Sequence, residues 1–184
     1  ILNPRNGHGK NEFSTFIGIP NSMDEIYGAC FQRNSTNVDF IYLVGSTKSK
    51  LDGTMKSDHL TKSTSSSSRL EGGYARHAFL SKLHLDTMTV RWTKQLGSMN
   101  GGDVYGYGCE ITSDGEDIYL AGTIAEDDSI KLFSITNSTT TTIESNGGTD
   151  VFVAQLSVVS GNIKYVKQFG TNENDSLARG NGIT

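Results

Sequence analysis

Three segments carry acidic and amide side chains dense enough to suggest a cation site: Asn21-Ser22-Met23-Asp24-Glu25, Asn100-Gly101-Gly102-Asp103 and Asn172-Glu173-Asn174-Asp175. Hard oxygen ligands clustered in a turn suit Ca²⁺, which makes Asp24, Asp103 and Asp175 its candidate ligands. Asn, Asp and Gly are equally what tight turns require, and no segment supplies a full ligand set. The expectation is therefore no resident metal or cofactor, with Ca²⁺ as the one candidate ion.

A second chemistry is covalent modification. Asn34-Ser35-Thr36, Asn137-Ser138-Thr139 and Asn174-Asp175-Ser176 each match the N-glycosylation acceptor pattern. About three such triplets arise by chance from this content of Asn, Ser and Thr, so their placement matters more than their number. Asn34, Asn137 and Asn174 all fall in expected loops, where a glycan can be accommodated. The tracts Thr61-Lys62-Ser63-Thr64-Ser65-Ser66-Ser67-Ser68 and Thr136-Asn137-Ser138-Thr139-Thr140-Thr141-Thr142 are polar runs without a core of their own, read as exposed loops open to O-glycosylation.

Catalytic signatures are thin. The chain has no G-x-S-x-G, His-Glu-x-x-His, Cys-x-x-Cys or P-loop, and it is expected not to be an enzyme. His8, His59, His77 and His84 lack metal-ligand spacing and read as solvated surface. Gly106-Tyr107-Gly108 leads into a strand and sets no helix N-terminus under a phosphate. Thr112-Ser113-Asp114-Gly115 reads as a hairpin turn. Tyr74, Tyr105 and Tyr107 are expected in loops, where they could stack on sugars. A net charge of −4 leaves no basic field for nucleic acid. The apolar stretch Phe40 to Val44 is far too short for a membrane-spanning helix.

The elements that must position these residues come from a repeat. With 21 glycines, 2 prolines, 7 tyrosines and 8 phenylalanines, the chain has the composition of a turn-rich all-β protein. Strands alternate and are rich in β-branched and aromatic residues at 78–83, 90–97, 107–112 and 117–123. The same order of signals recurs before them, at 13–18, 27–31 and 40–46, and after them, at 151–156 and 163–170. Matched positions lie 79 apart (Gly18 and Gly97), 77 apart (Tyr42 and Tyr119) and 73 apart (Leu83 and Leu156). Four antiparallel strands per unit make a β-propeller-like architecture. About two and a half blades are expected: a partial blade over 1–47, a Ser/Thr-rich insertion over 48–76, a complete blade over 77–124, a second insertion over 125–148 and a partial blade over 149–184.

Phe152-Val153-Ala154-Gln155-Leu156, Leu2-Asn3-Pro4, Trp92 to Gly97 and Ile118-Tyr119-Leu120-Ala121-Gly122-Thr123 resemble the seven-bladed β-propeller repeat family. That family runs roughly D-x-F-V-A-K-L-D-P, W-x-x-x-x-G-G, D-x-x-x-x-I-A-V-D and G-N-x-Y-V-T-G-x-T. The likeness covers most of the chain outside the two insertions. The chain departs from the pattern in having a single Gly for Gly-Gly, Phe13 or Tyr165 for the Trp, and longer repeats.

Cys30 and Cys109 lie 79 apart, the offset of Gly18 and Gly97, so each is placed in the third strand of its own unit. Equivalent side chains on stacked sheets point the same way about 10 Å apart, beyond disulfide reach. Two separate buried thiols are expected. The partial blades at either side leave open edges that invite strand addition or self-association. The leading functional expectation is a non-enzymatic extracellular or cell-surface structural module, glycosylated and self-associating or continued by further blades. A lectin-like propeller and a fragment of a propeller enzyme with its active site outside this window are the alternatives.

Overall fold

The computed structural model describes residues 23–33, 38–48, 57–59, 75–97, 102–125, 131–133, 140–142 and 148–175. These residues are all-β. Eleven strands follow in order: β1 (Asp24–Arg33), β2 (Val38–Thr47), β3 (Ser57–His59), β4 (His77–His84), β5 (Thr89–Leu96), β6 (Val104–Ile111), β7 (Asp117–Ile124), β8 (Lys131–Phe133), β9 (Thr140–Thr142), β10 (Asp150–Ser157) and β11 (Ile163–Phe169). The eight long strands coincide closely with the alternating segments of the sequence. The expected strand over 13–18 lies outside the described residues.

Two four-stranded antiparallel meanders result. The first runs β1-β2-β4-β5, with β3 added in parallel along β5, and the second runs β6-β7-β10-β11. Strands β8 and β9 form a separate small hairpin inside the second insertion. The grouping differs from the one expected. The four strands over 77–124 do not form one sheet: β4 and β5 pair with β2, and β6 and β7 pair with β10. The insertions thus fall between the second and third strands of each sheet. A periodic pattern has no intrinsic starting point, so spacing alone cannot say where one sheet stops. Hydrogen bonding across the insertions does, through Phe40↔His84 to Thr47↔His77 and Asp150↔Ile124 to Ser157↔Asp117.

Each sheet repeats two local devices. A bulge sits at Tyr27 in β1, between Ile26 and Gly28, and at Tyr107 in β6, between Gly106 and Gly108. Such an extra residue bends and twists its strand. Gly45 then lies opposite Phe79, and Gly122 opposite Phe152, so that each ring covers a glycine on the neighbouring strand.

The sheets stack face to face. Cys30, Tyr42, Val44, Ala78, Leu80 and Trp92 from the first sheet meet Cys109, Ile118, Leu120, Phe152, Ala154 and Leu156 from the second in one buried cluster. Strand β6 lies across β1, β2 and β4. The approach is close because glycine lines it: a Cβ on Gly28 would stand 2.5 Å from the Tyr107 carbonyl oxygen.

Here the structure corrects the reading of the cysteines. Cys30 and Cys109 form a disulfide, with Cα atoms 5.7 Å apart. They are not equivalent residues. Cys109 pairs with Leu120, whose counterpart in the first sheet is Leu43, and Leu43 pairs with Ala29. Cys30 is therefore one place out of step with Cys109, and one residue along a strand reverses the face a side chain uses. Instead of pointing the same way, the two thiols point at each other across a junction that glycine makes narrow.

Candidate functional site

The richest polar assembly gathers at one end of this junction. It is built from Glu25 and Tyr27 of β1, Ser46 of β2, Arg76 just before β4, Asp103 just before β6, and Tyr105 and Tyr107 of β6. Arg76 is the centre. Its Nη1 donates to Glu25 Oε2 and to Ser46 Oγ at 3.1 Å, its backbone N–H donates to Asp103 Oδ1 at 2.7 Å, and its carbonyl accepts from the Val104 N–H at 2.9 Å. The guanidinium carbon lies 5.7 Å from the Tyr105 ring centroid, within cation–π range.

Three phenols complete the cluster. Tyr105 stacks on Tyr107 with centroids 6.0 Å apart and donates to Asp103 Oδ2 at 3.0 Å. Tyr27 meets the Tyr107 ring edge-on at 5.5 Å and donates to Glu25. Burial, then the bond to Asp103, pushes the Tyr105 phenol up to about 12. Burial and Glu25 raise Tyr27 as well. Burial alone would lower the Arg76 pKa, but Glu25, Tyr105 and Tyr27 outweigh it and hold the guanidinium charged. A phenol held this high is no general base near neutral pH. What the arrangement does chemically is tie four segments from two sheets into one charge-assisted network.

The expected site residues are placed separately. Asp103 joins the Arg76 network, Asp24 accepts from the Thr47 hydroxyl, and Asp175 accepts from the Thr171 N–H at 2.7 Å and hydroxyl at 3.3 Å. Among the described residues, no three His, Cys, Asp or Glu side chains converge as a metal site. Asn174 is exposed, its Oδ1 accepting from the Thr149 N–H at 2.9 Å. Asn34, Asn137, Tyr74 and His8 lie outside the described residues. Tyr105 and Tyr107 sit within β6 and not in loops, and Tyr107 is buried, so the pair packs the junction. His77 and His84 stand half-buried at the two ends of β4, with the His84 ring edge-on to Phe40 at 5.1 Å. Thr112 to Gly115 does close the β6–β7 hairpin, with Gly115 at φ 74° and its N–H bonded to the Thr112 carbonyl at 2.8 Å. Among the described residues no helix is long and apolar enough to cross a membrane.

One ionisable group escaped the sequence reading. Lys82 of β4 is 7 % exposed, with Nζ 4.0 Å from the Phe40 ring centroid and 5.4 Å from that of Tyr42. It donates to the Val158 carbonyl at 3.1 Å, an oxygen that also accepts from Trp92 Nε1 at 3.3 Å. The turn after β10 is thereby pinned to the first sheet. Only alternation marked Lys82 as inward, because it shares the face of Leu80.

Burial, aided by repulsion from Arg91, lowers the Lys82 pKa to about 8. The unfolded chain, near the usual 10.5 for lysine, holds that proton more tightly. Stability therefore carries the full penalty below pH 8 and rises with pH between about 8 and 10. Lys82→Met keeps the shape, leaves Trp92 on the Val158 carbonyl and removes the buried charge. It is expected to raise stability at pH 7.5 by about 1–3 kcal/mol and to flatten the rise towards pH 9.5, as urea denaturation at the two pH values will show. A variant that is less stable at both would refute a net penalty for this charge.

Comparison with protein-family models, with curated proteins and with solved structures finds no match to this chain.

Proposed function

We propose that the chain is a non-enzymatic structural module, two successive blades of a propeller-like stack, which works outside the cell as a glycosylated scaffold or assembly unit. The observation that carries this reading is the way the two sheets meet. Position by position, the face that the second sheet turns to the first corresponds to the face that the first sheet turns away. Tyr42 and Tyr119, for instance, are equivalent, yet Tyr42 lies in the junction and Tyr119 on the far side. Stacking of that kind is translational, as between blades, and it can be continued.

Other features support the same reading. The junction's charged and phenolic groups are engaged with one another. A disulfide fits an oxidising compartment, and the described acceptor asparagine, Asn174, is exposed on a loop. The test is the intact mass of the chain secreted from a eukaryotic host. We expect no uptake of a thiol alkylating reagent before reduction, two equivalents after it, and a mass loss on treatment with a peptide N-glycosidase that shrinks in Asn174→Gln. A secreted chain with two free thiols and the bare polypeptide mass would defeat the extracellular part of the proposal.

A further inference from the structure

The internal junction is asymmetric, and both the strand that β6 presents and the face that receives it have register equivalents elsewhere in the molecule. Strand β6 supplies Gly106, Cys109 and Ile111 to the junction, and their register equivalents in β1 are Ile26, Ala29 and Phe31. These face the other way, and Ile26 and Phe31 are 53 % and 51 % exposed. The receiving face of the first sheet is Tyr42, Ala78, Leu80, Trp92 and Leu96, all buried. Its equivalents in the second sheet are Tyr119, Val151, Val153, Tyr165 and Phe169. Tyr165 and Phe169 are 46 % and 47 % exposed, and the other three are only partly covered. Exposed apolar side chains grouped in this way mark an interaction surface.

From this duplication we infer that the outer face of the second sheet is a docking surface for a second copy of this chain, which seats its β1 there as β6 is seated on the first sheet. This rests on the structural-module reading and gives it a partner. The occupant is argued from the interface already formed inside the molecule: the chain itself carries both the donor strand and the receiving face. Such a contact is heterologous, with each copy using a different surface at its two ends, so repetition leads to a ring or an open filament. Strand β1 also suits the role because, among the described residues, it is the edge strand of its sheet, next to β2.

Complementation tests it. Sedimentation of the full chain from about micromolar to about millimolar concentration is expected to show the weight-average mass rising above the 19.9 kDa of one chain. Phe31→Lys disables the donor strand and Tyr165→Lys the receiving face, both at exposed positions that leave the core untouched. Each variant alone is expected to bind itself roughly tenfold or more weakly. An equimolar mixture restores association, but only to a dimer, because the intact Phe31 strand of one variant meets the intact Tyr165 face of the other. A chain that stays monomeric throughout, variants that associate like the parent, or a mixture no better than its components would overturn the inference. The glycan and thiol measurements stand apart from this result, so failure here leaves the compartment intact and removes the partner.

Discussion

Replacing Cys30 and Cys109 together by alanine is expected to lower the unfolding free energy by about 4 kcal/mol. The bridge joins residues 79 apart in sequence, so it closes a loop that takes in nearly the whole first sheet and its insertion. In the unfolded chain a loop of that length, once cross-linked, loses much of its freedom, and the stabilisation grows slowly with loop size. The location adds to the effect. The disulfide ties β1 to β6, the two strands through which the sheets meet, so without it the junction rests on apolar packing and the Arg76 network. Urea unfolding of parent and double variant, each with and without reductant, gives the measurement. Reductant should move the parent towards the variant and leave the variant unchanged. Coincident transitions in the absence of reductant would mean that the bridge contributes no stability.

How the sequence hid that bridge is instructive. The strands were legible because alternation and β-branched enrichment report local structure directly, as in Ile118-Tyr119-Leu120-Ala121. Face and partner are non-local. Aligning the two units on their cysteines looks natural, yet the true registration aligns the bulges at Tyr27 and Tyr107 and sets Ala29 against Cys109. A one-residue shift is invisible to composition and decides which face every side chain uses. The paired Tyr-Gly steps, Tyr27-Gly28 and Tyr107-Gly108, were the available signal. The sheet boundary was hidden for a similar reason: β2 finds β4 across an insertion of more than two dozen residues, and nothing in the repeat period distinguishes that pairing from a permuted one. Among candidate site residues, Asp103 joined a real cluster, but its partner Arg76 stands beside an insertion and matched no motif. Its role depends on which segments the junction brings together.

The glycines that make the repeat compact should be unequal in a way that spacing cannot anticipate. Gly122→Ala is expected to cost about 3 kcal/mol or more, because a Cβ there would be built into the Tyr105 carbonyl oxygen on one side and within 2.6 Å of the Phe152 ring on the other. Neither neighbour can yield cheaply. The carbonyl belongs to the strand pair β6–β7, where Gly106 pairs with Gly122 just ahead of the bulge, and the ring is fully buried against the first sheet's face. Gly106→Ala is the contrast. Its Cβ would meet Val44 Cγ1 at 2.9 Å, the Gly45 carbonyl oxygen at 3.2 Å and Leu120 Cδ1 at 3.3 Å, mostly side-chain atoms that can shift by a few tenths of an ångström, for a cost of about 1 kcal/mol. Both glycines belong to one cross-strand pair, so strand propensity and pairing geometry are shared and cancel in the comparison. What remains is the nature of the obstacle: backbone and a locked ring for one, movable methyl groups for the other. Thermal or urea unfolding of the two variants decides the matter. Equal losses would show that the ring-over-glycine contact is not what makes Gly122 necessary, and would shift the explanation to the conformational cost of the strand itself.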